Sequence, residues 1–236
     1  LVNASDDLHD VTIRDLVIEG SNRAEPPSDP NSNRSYRNPG TRGGIMLLGK
    51  TEGQMKNIAL VNLTVQNCTY NGVFISGAQH VRITNCDFNE NGSSVVPGPR
   101  LQHNLLVTHS SDITVEDCRL DTSPFGSGVA LTASKDARVT RCEIARNAFY
   151  GVLVSECDNV SVAGNFLEGN DHTGIMVEFL YRGSSRVSID HNVIQYNNGY
   201  AVEARAATKC NVAGNTYIAN KSGEEKISSA KTIIME

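Results

Sequence analysis

Apolar and polar positions alternate along most of this chain in short bursts of period two, the spacing of half-buried β-strands. One burst recurs as a Gly or Asn followed by alternating aliphatic positions. It reads Gly44-Ile-Met-Leu-Leu48, Gly72-Val-Phe-Ile-Ser76, Asn104-Leu-Leu-Val-Thr108, Gly128-Val-Ala-Leu-Thr132, Gly151-Val-Leu-Val-Ser155, Gly174-Ile-Met-Val-Glu178 and Gly199-Tyr-Ala-Val-Glu203. Successive starts lie 28, 32, 24, 23, 23 and 25 residues apart. A second burst alternates with the first, at Val81 to Cys86, Ile113 to Cys118, Ala137 to Cys142, Val160 to Asn165 and Val187 to Asn192. Looser members run from Val11 to Leu16, Ile58 to Leu63 and Cys210 to Asn215. Two or three short strands in a coil of about two dozen residues bury almost nothing alone. Coils stacked ~4.8 Å apart pair their backbones and bury one continuous column of Val, Ile and Leu. The chain accommodates about eight such coils.

A leucine-rich repeat would need a Leu-x-x-Leu-x-Leu frame, and a propeller blade four strands in roughly 40 residues. Neither frame is present. The repeat resembles the right-handed parallel β-helix superfamily, the pectate-lyase-like group that includes pectate lyases, polysaccharide hydrolases, alginate epimerases and phage tailspikes. The resemblance implies an all-β fold, a right-handed parallel β-helix solenoid forming a single domain over residues 1–236. It is architectural and assigns no chemistry. No amphipathic N-terminal capping helix is evident, which favours a segment of a longer solenoid, because open solenoid ends need covering.

Composition agrees with a narrow core. Hydrophobic residues make up 39% and aromatic ones only 6%, with no Trp, so short aliphatic side chains must do the filling. Twenty Gly and many Asn supply tight turns. The formal net charge of −5 argues against a nucleic-acid partner. No apolar run approaches the ~18 residues that would span a membrane, no signal-peptide pattern is evident, and a start at Leu1 without Met fits a mature or trimmed chain. In the second burst one column reads Leu16, Leu63, Cys86, Cys118, Cys142, Asn165, Asn192, Asn215. Three Cys followed by three Asn predict an inward ladder at a turn, the thiols reduced and acting as small hydrophobes. A metal would want converging ligands, and a column presents them in parallel.

Candidate chemistry lies on the outward positions of the first burst. Counting from each Gly, the fourth column reads Leu48, Ser76, Thr108, Thr132, Ser155, Glu178, Glu203. This spacing predicts Glu178 and Glu203 side by side in adjacent coils, as a paired acid and nucleophile or base of a glycosidase. Asp171 and His172, just before a motif start, with outward Tyr150, supply a second acid–base set and a surface on which a sugar can stack. Alginate C5-epimerases on this scaffold use an Asp and a His close in sequence, but here Asn170-Asp171-His172 replaces their Asp-Pro-His. His103 lies near the same sheet edge. Long loops at Arg23 to Arg42 and Ser93 to Gln102 enter the first burst from the same side and predict one wall of a groove, with Arg42 and Arg100 near it, and Phe179 to Arg186 lengthens the loop after the sixth member of that burst. Arg205 completes the candidate binding set.

The leading expectation is a secreted or cell-surface carbohydrate-active protein whose partner is a polysaccharide or oligosaccharide. A glycoside hydrolase is the first reading and a polysaccharide lyase or C5-epimerase the second. A non-catalytic glycan-binding or structural solenoid is the rival class. No metal site and no cofactor are expected, with Ca²⁺ possible if the protein is a lyase.

Overall fold

The computed structural model describes residues 2–5, 7–20, 43–92, 102–228 and 233–235. Arg42 and Arg100, and most of the two long loops, lie outside them. The described residues are strands and turns, with every strand pair parallel, wound into a solenoid with three faces. The first face is a nine-stranded sheet: Val2–Ser5, Ile45–Leu48, Val73–Ser76, Leu105–Thr108, Val129–Thr132, Val152–Ser155, Ile175–Glu178, Tyr200–Arg205 and Gly223–Ser228. The second face carries the second burst, as in Ala78–Thr84, Ser111–Glu116, Lys135–Thr140, Asp158–Ala163, Ser185–Asp190 and Thr208–Ala213. Three-residue strands form the third, from Asp87–Asn89 to Thr216–Ile218. The long strand Met55–Gln66 bends at Asn62 (φ 53°) and belongs to both of these faces. Seven full turns run from Ile45 to Ile218, close to the eight that the repeat predicts.

The core is the column that the alternation implies. On the first face Leu47, Ile75, Val107, Leu131, Val154, Val177 and Ala204 point inward in register and are fully buried. Each larger aliphatic in such a site stabilises the fold by roughly 1.5–3 kcal/mol. At the corners the chain must turn with a left-handed residue, and these positions stack coil on coil. Asn85, Asp117, Arg141, Gly164, His191 and Gly214 have φ between 51° and 64° and form one corner column. Asn and Asp tolerate this region better than most side chains, and Gly enters it without cost.

The residue after each of those corners forms the predicted ladder. The Cys86 amide donates to Cys118 Sγ (3.5 Å) and the Cys142 amide to Asn165 Oδ1 (2.9 Å). Asn165 then donates to Asn192 (3.0 Å) and Asn192 to Asn215 (2.9 Å). All six cysteines are free thiols, and all are buried. A second ladder, not anticipated from the sequence, lines the corner before the first face. Asn91, Asn104, Asn147, Asn170, Asn197 and Asn220 pass one amide-to-amide hydrogen bond along at 2.8–3.2 Å. In this column buried amides satisfy each other and the turn backbone, so the corner stays dry without leaving polar groups unpaired.

Candidate functional site

The outward positions of the first face form two columns. One reads Met46, Phe74, Leu106, Ala130, Leu153, Met176, then Glu203 and Lys226. The other reads Leu48, Ser76, Thr108, Thr132, Ser155, Glu178, then Arg205 and Ser228. An apolar stripe thus runs along the face for six coils and gives way to charge. Ala130, Leu153 and Met176 are buried within it, with Leu106 and Tyr150 packed around them.

Glu178 and Glu203 do point to the same side of the sheet, but they are not neighbours in register. Glu203 pairs with Met176, and the strand opposite Glu178 presents Arg205. The physical reason is an insertion. The first-face offset is 23 residues from Val129 to Val152 and from Val152 to Ile175, but 27 from Ile175 to Val202. Aligning on Gly199 implies 25. Period two keeps the side correct and moves the position along the strand by two residues.

That shift changes the chemistry. Glu203 is only 5% exposed and is held by two cations, Arg205 at 2.9 Å and Lys226 at 3.3 Å. Lys226 also lies 5.4 Å from the centre of the Tyr200 ring. Glu178 is half-buried without such clamping. Burial pushes its carboxyl above the usual range, and the Arg205 guanidinium pulls back against that. Burial and the Glu178 carboxylate push the Tyr150 hydroxyl up as well. Arg205 therefore serves both acids: it is ion-paired to one and it moderates the other.

Where the strands enter this face, three rings form a cluster. Phe149 stacks on His172 with centroids 4.5 Å apart, and Tyr150 meets both edge-on, at 5.6 Å and 5.9 Å. Backbone hydrogen bonds fix the loop, from the His172 amide to the Phe149 carbonyl and from the Gly199 amide to the His172 carbonyl. The His172 ring is exposed, whereas Asp171 accepts a hydrogen bond from Asn198 (3.3 Å). Tyr150, His172, Glu178, Glu203 and Arg205 are thereby gathered on adjacent coils. His103 is not among them: it is 6% exposed, accepts the Ser127 amide on Nδ1 (3.0 Å), and burial lowers its pKa to about 4. It is a neutral support of the corner rather than a surface contact. Sequence reasoning missed Phe149, which carries the imidazole, and Lys226, whose pairing depends on register. Among the described residues no group of three or more His, Cys, Asp or Glu is gathered as metal ligands.

A family model described as a right handed beta helix region matches residues 100–234, more than half of the chain. The chain belongs to the right-handed β-helix family. A search of the curated proteins found no match. Among solved structures, a double mutant of the periplasmic alginate epimerase AlgG aligns with this β-helix at 16% identity and a TM-score of 0.70, covering 82% of this chain and 46% of that one. PfbA, a surface adhesin of Streptococcus pneumoniae, aligns at 12% identity and 0.65, covering 94% and 59%. ORF18 of Geobacillus virus E2 aligns at 11% and 0.51, covering 99% and 52%. At these identities the likeness is one of fold, and the β-helix spans about half the length of the structures it matches. No helix among the described residues is long and apolar enough to cross a membrane.

Proposed function

We propose that this β-helix binds an extended polysaccharide along the outward side of its first face, and that Glu178 exchanges a proton with the bound sugar. The observation that carries the reading is the ring cluster of Phe149, Tyr150 and His172 on the same few coils as Glu178, Arg205 and Glu203. Flat rings pack against the C–H faces of sugars, and half-buried charged groups fix hydroxyl or carboxylate positions. The fold likeness to an epimerase named for alginate and to a surface adhesin supports a glycan partner and a secreted or cell-surface setting.

As chemistry, two-carboxylate hydrolysis needs a free second acid. Glu203, clamped by Arg205 and Lys226, is a poor nucleophile, so Glu178 remains the proton donor of a hydrolase and lacks its partner. Lyase or epimerase chemistry on a uronic acid needs no second free carboxylate. Arg205 would neutralise the sugar carboxylate, Glu178 would take the C5 proton, and Tyr150 or His172 would return one, to the opposite face of C5 in an epimerase or to the departing glycosidic oxygen in a lyase. Its clustered residues make this second reading the better supported of the two.

The test is affinity electrophoresis of the protein on β-glucan, mannan, polygalacturonate and alginate, followed by assay of reducing ends, unsaturated ends and epimer ratio. Retardation by at least one glycan, lost in Tyr150→Ala, is expected. Glu178→Gln should keep binding and abolish any turnover. Free migration on the whole panel would remove the reading.

A further inference from the structure

Four residues, Phe179 to Arg182, are inserted into one corner of the solenoid where neighbouring coils turn directly. The same corner is occupied by Ala133, Glu156 and Ala206, each left-handed (φ 45°, 58° and 51°). In the inserted coil Gly183 takes this place, and a Cβ there would stand 1.9 Å from the Ala206 carbonyl oxygen. The insertion begins immediately after Glu178. It is also the reason that Arg205, and not Glu203, lies opposite Glu178.

The inserted tip is apolar, exposed and braced. Phe179 is 55% exposed, Leu180 61% and Tyr181 85%. One carboxylate oxygen of Glu156, in the preceding coil, accepts the Tyr181 amide (2.6 Å) and the Arg182 amide (3.1 Å). The Arg182 guanidinium donates back to the Glu156 carbonyl (3.2 Å). A carboxylate aimed at two consecutive amides fixes the turn, so three large apolar side chains are held in water rather than folded back. Exposed rings at that density mark a contact surface.

We infer that the Phe179–Tyr181 tip is a second aromatic wall of the glycan groove, stacking a sugar residue across the first face from the Phe149–Tyr150–His172 cluster. This rests on the polysaccharide reading above. Phe149, Tyr150 and His172 lie where the first-face strands begin, and the tip where Ile175–Glu178 ends. The four-residue strand between them spans about 13 Å, and its outward Glu178 adjoins the tip. Two ring walls with a charged floor suit a polar chain with apolar C–H faces. A lipid surface would be poorly served by a floor of Glu178, Arg205 and Glu203, and an aliphatic partner would not need aromatic walls.

The experiment compares three variants with the intact chain on the same four polysaccharides, with vesicles of anionic phospholipid as a control. Phe179→Ala/Tyr181→Ala should weaken the affinity for the retained glycan by about tenfold, on the order of a few-fold to tenfold per stacked ring, with unchanged melting temperature. Glu156→Ala installs the residue that two other coils, at Ala133 and Ala206, already carry at this corner. It should weaken binding with both rings still present, because the brace is lost. Tyr150→Ala reports on the opposite wall. If Tyr150→Ala abolishes retention while both tip variants bind like the wild type, the tip inference falls and the groove reading stands. If the protein binds no glycan, both fall. Tip-dependent vesicle binding without glycan binding would overturn the inference in favour of a membrane contact.

Discussion

Removing one rung from the middle of the buried asparagine ladder should cost more than removing its end. Asn170 has no exposed surface. Its Oδ1 accepts the Asn147 amide (3.1 Å) and Asn147 Nδ2 (2.9 Å), and its Nδ2 donates to the Ile144 carbonyl (3.3 Å) and Asn197 Oδ1 (2.8 Å). In Asn170→Ala, Asn147 Nδ2 keeps the Leu120 carbonyl (3.2 Å), and Asn197 Oδ1 keeps the Asn170 amide (3.0 Å). The Asn147 amide loses its partner in a dry corner. One or two orphaned groups at about 1–3 kcal/mol each predict a loss of roughly 2–4 kcal/mol. Asn220, at the end of the ladder, accepts the Asn197 amide (3.1 Å) and Nδ2 (2.8 Å), but it is partly exposed and water can replace it. Asn220→Ala should therefore cost only about 0.5–1.5 kcal/mol. Asn170→Leu separates the two contributions: it restores most of the volume and none of the hydrogen bonds, so it should remain near the Ala value. Equilibrium urea unfolding, followed by circular dichroism, reads the differences as midpoint shifts. With a slope of about 3 kcal/mol/M they are about 1 M at Asn170 and ~0.3 M at Asn220. Equal shifts at the two positions, or full rescue by Leu, would refute the argument that satisfied amides hold this corner.

Two further outcomes follow from buried groups. His103 has its pKa lowered to about 4 by burial, and its Nδ1 must stay unprotonated to accept the Ser127 amide. The unfolded chain takes up that proton first as pH falls. The contribution is thus complete above about pH 6.5 and is lost as pH drops towards 4, by roughly 3 kcal/mol. Melting temperatures across this range should fall less steeply for His103→Gln, and an unchanged slope would show that the imidazole is not the group involved. The cysteines give a covalent readout. Burial pushes the thiols of Cys68, Cys157 and Cys210 up to about 11. The native protein should react with no thiol reagent at neutral pH, whereas the chain denatured without reductant should titrate as six thiols; fewer than six would mean disulfides.

The fold was legible in the sequence because a solenoid is built from local rules repeated. Period-two alternation sets which side chains enter the core, and the recurrence of Val, Ile and Leu at fixed offsets sets the stacking. The Cys86-to-Asn215 column was readable for the same reason: its members follow the alternating burst directly. The second ladder carried a comparable signal, Asn residues recurring from Asn147 to Asn220 at 23–27-residue intervals, but it falls between bursts, where periodicity gives no anchor. Alternation likewise put Glu178 and Glu203 on the correct side of the first face. It could not set their position along the strand, because a shift of two residues leaves every side chain on the same side. Backbone pairing settled that, through the four residues inserted at Phe179 to Arg182. Only tertiary structure could turn two presumed partners into a clamped Glu203 and a half-buried Glu178 with Arg205 between them. Ion pairing, burial and the stacking of His172 on Phe149 join residues from different coils, and spacing within one coil does not encode which groups meet across the gap.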